Sequence, residues 1–241
     1  MRRAKKRSNW KRNLNLFVFF TMVFATAFVI AEMSLAPASP EDALPYQRVK
    51  SDYVLMLLQC ILGIFAMLLP GFLHKRVNLE IPSNMLVLYA IFLYCAIYLG
   101  EVRSFYYIVP QWDTILHCFS GAMLGALGFS VITILNRTDK VPMYLSPAFV
   151  AFFAFCFAVT CGVVWEIYEF LADGILGTNM QKFGTEAGEG FVGRLALMDT
   201  MKDLIVDCIG AGVISLVGYL SLKYQTGFVD KLLVRKKRSG G

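Results

Sequence analysis

The sequence predicts an all-α, polytopic integral membrane protein with about six transmembrane helices. Hydrophobic residues form 57% of the chain and charged residues only 17%, whereas soluble domains carry about 25% charged residues. The mean hydropathy is +0.59, and the apolar residues come in long runs. A helix needs about 20 mostly apolar residues to cross a bilayer core. The predicted spans are residues 14–31, 53–73, 84–100, 114–135, 147–172 and 203–222.

Basic residues at both ends predict the orientation. Residues 1–13 carry seven basic residues and no acid, and residues 223–241 carry six basic residues and one acid. Because Lys and Arg favour the cytoplasmic side, we expect both stretches to be cytoplasmic tails that flank a six-helix domain, 14–222. The outer loop of that domain is 173–202. Basic flanks are the ordinary topology signal, so we expect a lipid bilayer and no nucleic acid as partner.

Ionisable side chains occur in three predicted spans, where they are costly and indicate a functional site by default. A spacing of three or four residues puts those of each span on one helix face. The predicted topology brings all of them to the outer half of the membrane. They are Asp113 and His117 at the start of the fourth span, Glu166 and Glu169 in the fifth, and Asp199, Asp203 and Asp207 before and within the start of the sixth.

Six carboxylates and one imidazole cannot all be ionised side by side without compensation. Either some of them are protonated, or a divalent cation binds among them. Carboxylate oxygens and one histidine suit Mg²⁺, Mn²⁺, Ca²⁺ or Zn²⁺, so all seven residues are candidate metal ligands. Lys202, Arg194 and Arg103 are basic residues that we expect nearby. They would neutralise the acids or bind an anionic phosphate or lipid headgroup.

Simpler interpretations exist for some of these residues. Asp113 and Asp199 stand where the fourth and sixth spans begin, and an aspartate there often caps the helix. His117 alone would be an ordinary packing histidine. Solvation does not explain Asp207, which lies well inside an apolar run. Small residues let helices approach closely, and we interpret Gly121, Gly125, Gly128, Gly210 and Gly212 in this way.

The order of these motifs resembles that of the YjdF-like family of bacterial inner-membrane proteins. The resemblance covers spans two to six, and there is a remoter likeness to VanZ-like membrane proteins. It implies a multi-pass location in the bacterial cytoplasmic membrane and supports the same choice of site residues. The motifs are Asp113-x-x-x-His117-x-x-x-Gly121, Trp165-Glu166-x-x-Glu169, Leu176-Gly177-Thr178, and Asp199-Thr200-x-x-Asp203 ending in Gly210-Ala211.

The first functional hypothesis is a metal-dependent hydrolase or transferase that acts on a lipid-linked or envelope substrate. A metal ion can polarise a phosphoryl or acyl oxygen or activate water. His117 or Glu166 would serve as the general base, and Asp203 would complete the catalytic set. Lys202 and Arg194 would bind the anionic group of the substrate.

Two alternatives belong to other classes of protein. A proton- or cation-coupled transporter would use Glu166, Asp203 and Asp207 as a relay, and it requires a polar path that continues towards the cytoplasm. A non-catalytic membrane scaffold would only pair its acids with basic residues. The sequence predicts neither the substrate nor the oligomeric state.

Overall fold

The computed structural model describes most of the chain, and all statements below concern that part. The described residues are 2–38, 48–136, 145–185, 189–228 and 232–236. The predicted basic tails lie partly outside these ranges.

Long helices form almost all of the described structure. Six of them are long and apolar enough to cross a membrane, which confirms the predicted fold class. The helices are α1 (Arg2–Leu35), α2 (Lys50–Val77), α3 (Ser83–Leu93), α4 (Phe105–Ile108), α5 (Trp112–Asn136), α6 (Pro147–Leu176) and α7 (Met198–Lys223). The third crossing consists of α3 and a π-helix, Tyr94–Val102, that continues it.

Several helices are longer than the apolar runs that predicted them. The helix α1 begins at Arg2, α6 ends at Leu176 and α7 begins at Met198, against predicted bounds of 14, 172 and 203. Hydropathy detects only the part that suits lipid, whereas the backbone hydrogen bonds of a helix continue past it. As a result, Asp199 lies inside α7, in its first turn, and the residue that caps this helix is Leu197. The N-cap interpretation of Asp199 is therefore wrong.

The ends of α6 follow from local sequence. The Ser146 hydroxyl accepts a hydrogen bond from the Phe149 amide at 3.2 Å, and Pro147 occupies the first turn, where its missing N–H is not needed. The helix ends at Leu176 and is followed by Gly177, which adopts a left-handed conformation with φ of 66°. Glycine accepts this conformation without the steric cost of a Cβ atom.

The helices pack in two groups, each with its own core. In the first group, α1, α2 and α3 meet around an apolar cluster that includes Met22, Cys60 and Ile97. In the second group, α5, α6 and α7 pack against one another. One end of this group has an apolar core with Phe129 and Ala154, and the other end holds the acidic residues.

The described part of the C-terminal tail packs against the helices. Strand β2 (Arg235–Lys236) pairs antiparallel with β1 (Leu79–Glu80), which follows α2. The Val234 amide donates a hydrogen bond to the Ser130 hydroxyl of α5 at 3.0 Å, and Val234 is buried. The chain after α7 is therefore attached to the same end of the protein as the α2–α3 connection.

Candidate functional site

His117 lies at the centre of the acidic cluster, between α5 and α7. Its Nε2 atom is 3.6 Å from Oδ1 of Asp113, one turn earlier on α5, and 3.9 Å from Oδ2 of Asp203 on α7. Its Nδ1 atom is 3.5 Å from Oδ2 of Asp207. The imidazole thus faces three carboxylates, and the Ser120 hydroxyl donates a hydrogen bond of 3.3 Å to the other oxygen of Asp207.

Glycines on α5, α6 and α7 create the space for this cluster. A Cβ atom at Gly121 would lie 2.5 Å from the Asp207 carbonyl oxygen, and one at Gly162 would lie 2.5 Å from Asp207 Oδ2. A Cβ atom at Gly210 would overlap the backbone of Cys118. The predicted close helix contacts are confirmed at Gly121, Gly125, Gly128 and Gly210 but not at Gly212, where the nearest atom would be 3.9 Å away. Gly162 was not predicted.

The two acids of α6 are also buried and lie near this cluster. Glu169 is 8% exposed, and its Oε1 atom accepts a hydrogen bond of 2.9 Å from the Trp165 indole. Glu166 is 5% exposed, and neither of its carboxylate oxygens has a hydrogen-bond partner among the described residues. Thr200 lies beside Glu166 without hydrogen-bond geometry, and His117 interacts with Glu166 electrostatically. Glu166 is therefore an unpartnered carboxyl group that faces the cluster.

Lys182, which no sequence pattern distinguishes, supplies a positive charge to the cluster. Its ammonium group pairs with Asp113 and lies 3.5 Å from Oδ2 of Asp199. Burial lowers the pKa of Lys182, but Asp113 and Asp199 outweigh burial and raise this pKa above its ordinary value. The ammonium also lies 5.7 Å from the centre of the Tyr106 ring. Burial raises the pKa of the Tyr106 phenol well above its usual range, with a further contribution from Glu101.

A buried aspartate at the end of α6 directs Lys182 towards the acids. The Asp173 carboxylate accepts hydrogen bonds from the Thr178 hydroxyl at 2.6 Å and from the backbone amides of Met180 and Gln181 at 2.7 and 3.0 Å. These bonds turn the chain back over the helix ends immediately before Lys182. The Gln181 amide then donates to the Thr200 hydroxyl on α7 at 2.9 Å, which fixes the turn to the start of that helix.

The predicted basic residues are placed differently from Lys182. Arg103 and Arg194 are exposed, and Lys202 is half-buried and interacts electrostatically with Asp199. In the described ranges, the ion pairs of the cluster are made by His117 and Lys182 rather than by these three residues. Lys182 and Asp173 have no distinguishing motif. The available signal was only that both are charged residues of the predicted outer loop, 173–202, next to predicted intramembrane acids.

Three of the predicted ligands are close enough to hold one ion. One ligand atom each from Asp113, His117 and Asp203 lies within 4.8 Å of the others. Atoms that each bind one ion at about 2.0 to 2.3 Å lie roughly 3 to 4 Å apart, so small side-chain rotations suffice. Asp207 faces the other ring nitrogen of His117, where carboxylates commonly orient metal-binding histidines. Asp199 forms an ion pair with Lys182 at the border of the cluster.

The match to a protein family extends over nearly the whole of this architecture. Residues 16–224 match the family described as predicted membrane protein (DUF2238). The chain belongs to this family. It is also similar to an uncharacterized protein of Thermotoga maritima, with 29% identity over 163 residues that cover 66% of this chain and 76% of that protein. No solved structure matches the chain.

Proposed function

We propose that the protein is a metal-dependent membrane hydrolase or transferase that acts on a lipid-linked or envelope substrate. The observation that carries this proposal is the convergence of Asp113, His117 and Asp203 on one point, with the unpartnered Glu166 beside them. A carboxyl group buried without a hydrogen bond costs free energy and needs an explanation. A bound cation or a substrate that contacts Glu166 supplies one.

The residues of the site suit the separate tasks of such an enzyme. Asp113, His117 and Asp203 would hold the cation, which when bound polarises a phosphoryl or acyl oxygen or acidifies a water molecule. Glu166 would accept a proton from that water, because it lies next to the ligands and has free acceptor capacity. Lys182 would contact an anionic group of the substrate once the cation neutralises Asp113. Lys202 is a second basic residue near the same end of the helices.

We further propose that the site faces the outer side of a bacterial cytoplasmic membrane, with both termini inside. The distribution of basic residues favours this orientation. The Lys11 ammonium donates to the Asn84 side chain at 2.6 Å, and β2 pairs with β1. These contacts place the chain near residue 11, the α2–α3 connection and the C-terminal segment at one end. The resemblance to the YjdF-like family and the bacterial source of the similar protein agree with this location.

Coupled transport has less support than chemistry at one face. A relay would need ionisable or polar groups that continue from Asp207 towards the other end of α5, α6 and α7. Beyond Asp207, the buried polar side chains that the structure describes on these helices are those of Ser130, Ser215 and Ser221. Serines alone do not supply the chain of titratable groups that proton pathways use.

Metal analysis of the purified protein tests the proposal. We expect about one divalent cation per chain after purification in detergent and dialysis against chelator-free buffer, measured by mass spectrometry. The variants Asp203→Asn and Glu166→Gln should both fold. Asp203→Asn should lower cation affinity by more than about 100-fold, beyond the loss typical of an outer-shell partner, whereas Glu166→Gln should retain the cation and lose activity.

The matched control is Glu189→Gln, which removes one carboxylate from an exposed position and should leave cation content and activity unchanged. Activity is assayed as release of phosphate from lipid-linked pyrophosphates and of acyl groups from lipid-linked esters. Wild-type protein that binds none of Mg²⁺, Mn²⁺, Ca²⁺ or Zn²⁺ by calorimetry would contradict the metal site. Cation binding that Asp203→Asn leaves intact would contradict the assignment of the ligands.

A further inference from the structure

Residues 190–198 lead from the bridge between Gly184 and Gly190 into α7, whose first residue is Met198, and they are unusually apolar for a loop. We call the part of the chain from Phe183 to the start of α7 the outer hairpin. Five of their large side chains are exposed: Phe191 at 41%, Val192 at 86%, Leu195 at 60%, Leu197 at 61% and Met198 at 46%. The one charged residue of this segment is Arg194. A soluble surface rarely exposes so many neighbouring large apolar side chains without a partner. We call residues 190–198 the interfacial segment.

The interfacial segment has a defined backbone conformation. The Phe191 amide donates to the Phe183 carbonyl oxygen at 2.8 Å, next to the bridge between Gly184 and Gly190. Directly opposed residues of an antiparallel pair project to the same face, so the two phenylalanines extend one apolar surface. Beyond them, the turn Gly193–Leu195 presents Val192 and Leu195 outward. The exposed apolar surface is thus built by ordered structure.

This surface continues the surface that lipid covers on the neighbouring helices. At the end of α6, Ile175 is 77% exposed, and in the first turn of α7 Met201 is 50% exposed. The interfacial segment leads directly into α7. The chain around Arg194 has the composition of an interfacial anchor, because a guanidinium binds lipid phosphates while apolar neighbours enter the acyl region.

We propose that the interfacial segment inserts into the headgroup and acyl-chain boundary of the leaflet on the side of the acidic cluster. Its partner is lipid, rather than water or a second copy of the chain. One side of the acidic cluster would then adjoin lipid. The segment ends at Met198, directly before Asp199. The acids at the start of α7 would therefore border the headgroup zone, and a lipid could reach them from within the membrane plane. This inference is independent of any bound metal.

Spin labels placed along the outer hairpin test the insertion. We would attach a nitroxide to Val192→Cys, Leu195→Cys and Glu189→Cys in vesicles of phosphatidylethanolamine and phosphatidylglycerol, with the signal of identically treated protein without the added cysteine subtracted. Collision rates with oxygen, which concentrates in lipid, and with a water-soluble nickel chelate are measured by power saturation. Glu189 is exposed on the same hairpin and serves as the matched control.

We expect oxygen collisions to exceed nickel collisions at 192 and 195, and the reverse at 189. Frequent nickel collisions at 192 and 195 would show that water covers the segment and would overturn the proposal. Low collision rates with both reagents would show that protein covers it, which would overturn lipid as the partner. Two independent labelling positions keep the test valid if one variant fails to fold. None of these outcomes depends on cation binding.

Discussion

The two groups of helices fill their interiors with different residues. Between α1, α2 and α3 the buried side chains are apolar and include the bulky Val18, Met22 and Ile97. Between α5, α6 and α7 glycines bring the backbones together, and the buried side chains at one end are ionisable. In a membrane, lipid tails are as apolar as leucine, so association depends on packing and on polar contacts. The first group relies on packing, and the second combines close backbone contact with a polar site.

Because the helix backbones of the second group are in close contact, adding one methyl group there should have the largest effect on stability of the changes considered below. We expect Gly210→Ala to lower the free energy of unfolding by about 3 kcal/mol, the upper end for overpacking, because the clash is with the backbone of Cys118. Reversible unfolding in mixed micelles measures it. Since Gly210 is one turn from Asp207, the variant should also lose cation affinity.

The control for this variant is Gly71→Ala in α2, where a Cβ atom would meet nothing within 4 Å. Alanine should be neutral there or stabilise by up to about 1 kcal/mol, because it favours helix more than glycine does. Equal destabilisation at both positions would mean that close backbone contact is not special to the second group.

In the first group, loss of a bulky side chain should reduce stability and spare the site. We expect Met22→Ala to cost about 2 kcal/mol, near the lower end for a buried methionine, because in lipid the loss is one of packing contacts. Cation content should be unchanged. Phe24→Ala is the control, since this side chain is 72% exposed on the same helix and should cost little. Loss of the cation in Met22→Ala would show that the two groups are coupled.

The smallest predicted effect concerns the charge balance of the site. Lys182 pairs with Asp113, so its ammonium competes with a cation for that ligand. We expect Lys182→Met to raise cation affinity about tenfold, or about 1.4 kcal/mol, measured by calorimetry. The pKa of Lys182 is raised, so the residue stays protonated at neutral and mildly alkaline pH. In the cation-free protein the competing ammonium is therefore present at the start of the titration.

Lys202→Met is the matched control for this prediction, because it removes an equal charge from a half-buried residue that makes no ion pair within 4 Å in the described structure. It should change cation affinity less than Lys182→Met does. A loss of affinity in Lys182→Met would contradict competition and indicate that Lys182 holds the ligands in place.

Much of the fold was predictable because the bilayer imposes a simple rule on sequence. Long apolar runs identified the six crossings, and the spacing of three or four residues identified the acids of each helix face. Hydropathy could not locate the true start of α7 at Met198, because Asp199 and Lys202 interrupt the apolar run. It therefore placed Asp199 before the predicted span, where a helix cap and a metal ligand were both open interpretations.

The basic residue that pairs with the acids, Lys182, was not predictable by the same means. The sequence offered several basic residues near the outer ends, and their positions in loops gave no basis for ranking them. Lys182 reaches the acids only because the Asp173 carboxylate binds the turn before it. That arrangement depends on hydrogen bonds to backbone amides, which leave no pattern in residue spacing. The packing of Val234 against α5 was missed for a similar reason, since a short basic tail carries no folding signal.

The pairing of β1 with β2 has a consequence for biosynthesis. Glu80 pairs with Arg235, so the partner of β1 leaves the ribosome only after every helix of the described bundle. At about 5 to 20 residues per second, roughly 10 to 30 s separate the two strands. Attachment of the C-terminal segment can therefore follow only after all the described helices have been synthesised, and a chain truncated within α7 would keep an open β1 edge.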